Sequence, residues 1–494
     1  MSVASALDPA TRRLGGFLAL GGLMVVVDTT VVVVAVPRLV HDFGASLATV
    51  QWATAGYALA LVAVLPLAAW AAARFGTRAT YLAALAGFTG ASLLTGLAWN
   101  VGALIAFRVL QGLGGGLLNP VGTAIALAAV PPGRRGAMMS LLGLPVLVGP
   151  LAGPILAGLL VDHASWRWVF WLNVPIGVAA LLLGRRLLPA PPLDRDRVPL
   201  DVPGLLLLSP GVTLVVLGLS GSGPALAVAA AAGAVLVAVF VVRSGRVAVP
   251  LLRLDVLRQR ATAAGAATLA LFAAAYFGAG LVGPLYVQVV RGDPATAAGA
   301  LALPQALATG LTLQVATRLV DRFPARRIVG LGIATAFSGT VLLVAVLDAH
   351  TPYPALAAIG ALTGVGVGAT IMPVMTAATR TLPTDRLPSA TTVLNIVSQT
   401  AIAAGTAIVT AVLSWRADAH AGLTVAEAAG LAGQARADHA PTLAAAVRDT
   451  LAVPAALMAA AWLAARRLPR GGDAPYGPTV TSQSPAATAS PGDA

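Results

Sequence analysis

Apolar residues run through this chain in long stretches, separated by short segments that hold the charges, prolines and glycine-rich turns. A hydrocarbon core about 30 Å thick is crossed by roughly 20 apolar residues in helical form. Runs of that kind lie at 14–36, 49–72, 79–98, 101–129, 137–160, 168–188, 202–221, 224–242, 262–289, 296–317, 328–347, 353–377, 389–413 and 449–465. The pattern predicts fourteen transmembrane helices, an all-α integral membrane protein. An even number of crossings puts both termini on one side.

Composition agrees with the pattern. Of 494 residues, 58% are hydrophobic and 10% charged, against about 25% charged in a soluble domain; mean hydropathy is +0.87. An ordinary soluble enzyme is excluded. All 31 basic residues are Arg, and the 18 acids are Asp apart from Glu427. Of the arginines, 24 fall on the side of the odd connectors and termini, 6 on the other, and Arg108 lies within a span. The positive-inside rule therefore predicts cytoplasmic termini in a cell (plasma) membrane protein. The net charge of +13 is then an orientation signal and calls for no nucleic acid partner. The first run is expected to be a membrane helix and not a cleaved leader.

The absence of Cys excludes disulfides, thiol catalysis and Cys-ligated metals. His41, His163, His350, His420 and His439 all fall in outward connectors and read as exposed loop residues. With no phosphate-binding loop, no His–Asp pair inside a span and no ligand cluster, no ATP, metal or other cofactor is expected, and the chain is not expected to be an enzyme. Energy would come from an ion gradient.

Residues 69–78 (AWAAARFGTR) and 317–326 (TRLVDRFPAR) align at an offset of 248 residues and eight helices. Two six-helix halves separated by two inserted helices would give that spacing, as in a pseudo-twofold transporter body. The predicted organisation is a cytoplasmic N-terminus at 1–13, a six-helix bundle at 14–188, a linker with two extra helices at 189–260, a second six-helix bundle at 261–465 with an Ala-rich outer loop at 414–448 that reads as a short surface helix, and a disordered cytoplasmic tail at 466–494.

Both repeated segments resemble the cytoplasmic signature of the major facilitator superfamily. Further stretches are similar to its 14-helix drug:proton antiporter branch: Val27-Asp28-Thr29-Thr30 through Pro37; Arg108 with Gln111 and Gly112; Gly143, then Gly149-Pro150 and Gly153; Trp166 through Asn173, Pro175 and Gly177; and Pro284, Tyr286 and Gln288 with Gly299 and Pro304. The resemblance covers about residues 20–410. It implies the major facilitator fold and a monomeric proton-coupled exporter of drugs, antibiotics or other amphipathic small molecules, with protons and membrane lipid as its other partners. It also implies a cytoplasmic gate built from Arg74, Gly76, Arg78, Asp321, Arg322 and Arg326. Ala69, Ala73 and Pro324 replace residues of the signature, and Ser398, in a stretch with Leu394 and Asn395, stands where the family has Arg. Asp321 is left as the one acid for a contact between the halves.

Ionisable groups near the bilayer centre are costly and default to functional roles. Asp28 is the only acid inside any span of either half. Desolvation favours the neutral form of a carboxyl, which suits a proton carrier; a permanent partner of Arg108, or a cap at a helix break, is the other reading. For Arg108 the resemblance implies assistance to proton transfer, with Gln111 one turn on; snorkelling to the headgroups is the alternative. Gly149, Gly153 and Ala157 form a small-xxx-small stripe that serves close packing, Pro150 and Pro154 each remove a backbone hydrogen bond and bend the helix, and the resemblance ties this bend to export. Gln51, Trp52, Tyr57, Asn119, Tyr286, Gln288, Gln305, Asn395 and Gln399 are candidates for a substrate cavity, or for hydrogen bonds between helices. An uptake symporter or facilitator of the same fold, and a non-transporting receptor or scaffold, are the alternative functions.

Overall fold

The computed structural model describes residues 7–469 except 46, 146–147, 150–152, 154–155, 157–158, 161–162, 189–198, 220–222, 281, 321, 425–426, 429–430 and 432. Every regular element among them is helical. The expected tail from 470, most of the 189–200 connector, Pro150, Pro154, Ala157 and Asp321 lie outside the described residues.

The first expected span is the middle of α1, Pro9–Phe43. Asp8 caps it by accepting the Thr11 amide at 3.1 Å, and Gly44, at φ 58°, ends it in the left-handed conformation that glycine adopts without penalty. The second span is broken into α2, Leu47–Val64, and α3, Leu67–Phe75, bent by 55°. Pro66 at the break has no amide hydrogen to continue the ladder. α4 is Thr77–Gly96, and α5 is Val101–Ala128, capped by the Asn100 side chain, which accepts the Ala103 amide at 2.8 Å. α6, Arg135–Leu142, opens the fifth expected span. α7, Arg167–Trp171, and α8, Asn173–Leu187, form the sixth.

The inserted pair is α9, Val202–Leu219, and α10, Pro224–Ser244. The second half follows with α11, Arg260–Ala279, and α12, Val282–Leu285, which runs into a π-turn at Tyr286–Val290. Then come α13, Ala295–Leu319, α14, Ala325–Val346, α15, Tyr353–Gly368, and α16, Ile371–Thr379. The last three are α17, Leu387–Ala421, α18, Gly433–Thr450, and α19, Ala452–Ala465. The expected outer loop at 414–448 is thus largely helical: α17 continues eight residues beyond its apolar run, and α18 fills 433–450. Alanine, the strongest helix former, dominates both stretches and carries the helix past the point where hydropathy stops.

Eleven helices among the described residues are long and apolar enough to cross a membrane, or twelve with α2 and α3 as one bent span. The described residues therefore do not confirm the expected fourteen. α13 is a continuous helix of 25 residues, but Gln305, Thr309, Thr312, Gln314 and Thr317 dilute its hydropathy, and the fifth span is described only in part.

Within the first half α5 packs on α2, α4 and α1, and α8 packs on α4 and α1; in the second, α15 packs on α13 and α14, and α11 on α17 and α19. The inserted pair pack on each other, with α9 resting on α2 and α17. Asp201, at the foot of α9, ties this pair down. Its carboxylate pairs with Arg243 at 2.8 Å and accepts the amides of Gly204 at 3.0 Å and Leu251 at 3.2 Å. Burial opposes ionisation of Asp201, yet these donors outweigh it and hold the carboxyl below its ordinary range,.

Candidate functional site

Asp28 sits midway along α1 with no solvent exposure. Its Oδ2 lies 2.5 Å from Arg108 Nη1 on α5. Its Oδ1 accepts Gln111 Nε2 at 2.8 Å and Asn173 Nδ2, from the start of α8, at 3.1 Å. A carboxylate is an acceptor only, and all three partners are N–H donors, so the arrangement matches the ionised form.

The guanidinium is held just as closely. Arg108 is fully buried, so it does not snorkel to the headgroups. Nη1 also donates to Gln111 Oε1 at 2.8 Å, and Nε to the Ala53 carbonyl at 3.2 Å. Its Cζ stands 4.1 Å from the Tyr57 ring centroid and 5.6 Å from that of Phe170, within cation–π range. Sequence places Arg108 and Gln111 three residues apart on one helix face, and Gly112 permits the contact beneath. A Cβ there would lie 2.4 Å from the Tyr57 carbonyl, so a side chain would push α5 off α2. Gln111 Nε2 further donates to Ser92 Oγ at 2.7 Å, which extends the network to α4.

The fifth-span glycines meet α1 at the same level. A Cβ on Gly149 would lie 2.3 Å from Val26 Cγ1, and one on Gly153 2.0 Å from Thr30 Oγ1. Close approach of helices, the packing role of this stripe, is thus present beside Asp28.

Of the remaining sequence candidates Tyr286 and Gln305 line one cavity in the second half, and the others do not join them there. Tyr57, proposed for a cavity wall, is 1% exposed and belongs to the Arg108 cluster. Gln51, Trp52 and Asn119 are exposed, and Gln399 is half-buried. The Tyr286 hydroxyl donates to the Asp348 carbonyl at 2.7 Å; Gln288 bonds within its own turn, to Pro284. Asn395 donates to the Thr391 carbonyl at 2.8 Å, and Gln305 to the Tyr276 hydroxyl at 3.4 Å.

Of the expected gate residues, Arg78 donates to the Arg185 carbonyl at 2.5 Å, within its own half. Gly76 turns the chain at φ 81°, Arg74 and Arg326 are half-buried and Arg322 is exposed. The contacts that do join the halves use other residues. Buried Arg135 donates to the Thr379 carbonyl and to that of Leu382 at 3.4 Å. Ser140 and Gln314 bond reciprocally, Ser140 Oγ to the Gln314 side chain and Gln314 Nε2 to the Ser140 carbonyl at 2.9 Å. Thr391 Oγ1 donates to the Pro120 carbonyl at 3.2 Å. A Cβ on Gly143 would lie 2.2 Å from Leu313 Cδ2, so this glycine lets α6 close on α13. Sequence gave Arg135 an orientation role alone, because its acceptors are backbone carbonyls that carry no residue signature. Asn173 and Ser92 were equally hidden, as single amide and hydroxyl groups far from Asp28 in sequence.

Comparison with known proteins places these features in context. The sequence model of the Major Facilitator Superfamily matches residues 18–406 and 268–469. The chain is 36% identical over 424 residues to a multidrug resistance protein B homolog of Mycobacterium tuberculosis, covering 83% of this chain and 77% of that one. It is 38% identical over 293 residues to a tetracenomycin C resistance and export protein of Streptomyces glaucescens, covering 58% and 54% of the two chains. Among solved structures, that of a human organic anion transporter aligns at a TM-score of 0.60 and 15% identity, over 91% of this chain and 100% of that chain. A proton:xylose symporter aligns at 0.57 and 13%, over 91% and 95%.

Proposed function

This chain belongs to the major facilitator superfamily, a multi-pass membrane transporter of small molecules, and from that premise we propose that it exports drugs, antibiotics or similar amphipathic compounds in exchange for protons. The names of the relatives support the exporter reading; transporters of this family are not enzymes. The observation that carries the proton coupling is the Asp28 carboxylate, fully buried and bound by Arg108, Gln111 and Asn173.

The mechanism follows from charge. With Asp28 ionised, the pair is compensated and the three helices α1, α5 and α8 are held together. A proton arriving at Asp28 Oδ2 removes the negative charge and turns the oxygen that accepts from Arg108 into a hydroxyl donor,. Arg108 then keeps the Ala53 carbonyl, Gln111 Oε1 and the Tyr57 and Phe170 rings. Breaking one partner of a buried pair costs about 3–5 kcal/mol, and that free energy favours a rearrangement in which Arg108 regains water or another acceptor. Loss of the proton to the opposite side restores the pair and returns the halves. The Arg135, Ser140 and Gln314 contacts are the closed gate of the conformation described, on the side that the arginine distribution assigns to the cytoplasm. One acid gives one proton per cycle, with both termini cytoplasmic.

The test is proton counterflow. In proteoliposomes carrying a pH-sensitive dye in the lumen, a transported drug added outside moves protons the opposite way, and an imposed pH gradient accumulates the drug. Movement of drug and proton in the same direction favours the symporter alternative. Absence of any flux alongside intact folding favours the receptor.

A further inference from the structure

The internal repeat relates two interiors of opposite chemistry. In the first half, Gly112 and Gly116 seat α5 on the carbonyls of Tyr57 and Leu61; in the second, Gly364 and Gly368 seat α15 on those of Gln305 and Thr309. Gly114 likewise packs on Ala84 and Phe88 of α4, and Gly366 on Gly332 and Ala336 of α14. These contacts set α2 against α13 and α4 against α14 at the offset of 248, and α5 against α15 at 252. Tyr57 then corresponds to Gln305, Ser92 to Thr340, Arg108 to Gly360 and Gln111 to Thr363. Asp28 stands 248 residues before Tyr276.

All five counterparts line one cavity of about 200 Å³ inside the second half. Where Arg108 fills the first bundle, Gly360 leaves space: a Cβ there would meet nothing nearer than Gln305 Cβ at 3.7 Å. The rest of the wall is mostly apolar, with Leu301, Leu343, Ile359 and Met458 among it. Thr340 and Thr363 donate to the carbonyls of Ala336 at 3.1 Å and Ile359 at 3.0 Å on their own helices, so their hydroxyl protons are already engaged. The polar feature left is the Gln305 Nε2 bond to the Tyr276 hydroxyl at 3.4 Å, which leaves the tyrosine proton and the glutamine oxygen available. An apolar chamber of about 150 Å³ stays dry and binds benzene.

We propose that this chamber is a binding site for an uncharged aromatic group of one or two rings bearing a single hydroxyl or carbonyl oxygen, which Tyr276 and Gln305 engage. The first half thus spends its repeat unit on a charged pair and the second on an apolar receptacle. The site depends on neither proton coupling nor the direction of transport, and its test reads binding alone.

The probe is trifluoromethylphenyldiazirine, a ring-sized uncharged photolabel, applied to the full-length protein in nanodiscs with naphthol as competitor. The expected result is saturable labelling, mapped by mass spectrometry to α13 and α15 and displaced by naphthol. Gly360→Leu and, from the facing helix, Ala302→Leu each fill the chamber and weaken the saturable component about tenfold or more. Gln305→Met, similar in volume, keeps the diazirine labelling and loses naphthol competition. Asp28→Asn keeps both. Each comparison is made on protein that elutes as a single species. Labelling that does not saturate, or that is equal in the wild type and both filled variants, means access from lipid only and overturns the proposal. Loss of labelling in Asp28→Asn places the ligand in the proton-coupled path and overturns it as well.

Discussion

Arg108 Nη1 lies 2.5 Å from Asp28 Oδ2, and neither side chain has any solvent exposure. Two charges in that position depend on each other. Arg108→Ala leaves the carboxylate uncompensated and should destabilise the protein by about 3–5 kcal/mol, read as a lowered thermal transition in detergent. Combining it with Asp28→Asn removes both charges and should recover part of the loss, while gradient-driven transport stays absent. Additive losses in the double variant would show that the pair is not coupled.

The contact between Ser140 and Gln314 joins the halves in a chain that has no native Cys. Ser140→Cys with Gln314→Cys gives a thiol pair free of background. A short cleavable bis-thiol reagent should link them, stop transport, and release it again on reduction. Full transport in the linked protein would show that the halves do not separate here during the cycle.

Gly153 touches Thr30, about half a turn beyond Asp28 on α1. Gly153→Val places two further carbons where a Cβ would already lie 2.0 Å from Thr30 Oγ1. Overpacking of this kind costs about 1–3 kcal/mol, and the displacement of α1 should lower transport more than it lowers stability. The check is flux per folded molecule beside the thermal transition; equal flux would remove this glycine from the account.

Asp201 anchors the inserted helices through Arg243. Its carboxyl is held below the ordinary value of 3.8, so its contribution to stability is complete above that pH and fades as the pH falls through the folded-state value. The stability difference between the wild type and Asp201→Asn should therefore be flat from pH 7 to about pH 5 and shrink only below about pH 4. The number of protons exchanged per substrate should not change. A difference that shrinks near neutrality would contradict the assigned cause.

Helices were legible in the sequence because lipid demands continuous apolar runs, and the break at Pro66 was not, since a single Pro within a run does not say which way the chain bends. In the outer segment the alanines pointed to a short surface helix, but its polarity hid that α17 runs on to 421 and that α18 fills 433–450. Asp28 and Arg108 stood out by rarity in a span. What rarity does not reveal is the partner set: Asn173 and Ser92 are brought in by helices distant in sequence, and Arg135 bonds to carbonyls. The counterpart cavity was invisible for another reason, since a space is specified by what Gly360 lacks.

The most direct test of proton coupling is drug transport by Asp28→Asn in proteoliposomes. The carboxamide keeps the size of the side chain and cannot carry a proton. Accumulation driven by a pH gradient should fall to the protein-free background, on the order of a hundredfold below wild type at saturating gradient, while exchange of labelled for unlabelled drug across the membrane persists without a gradient. Undiminished gradient-driven accumulation by Asp28→Asn would contradict the account.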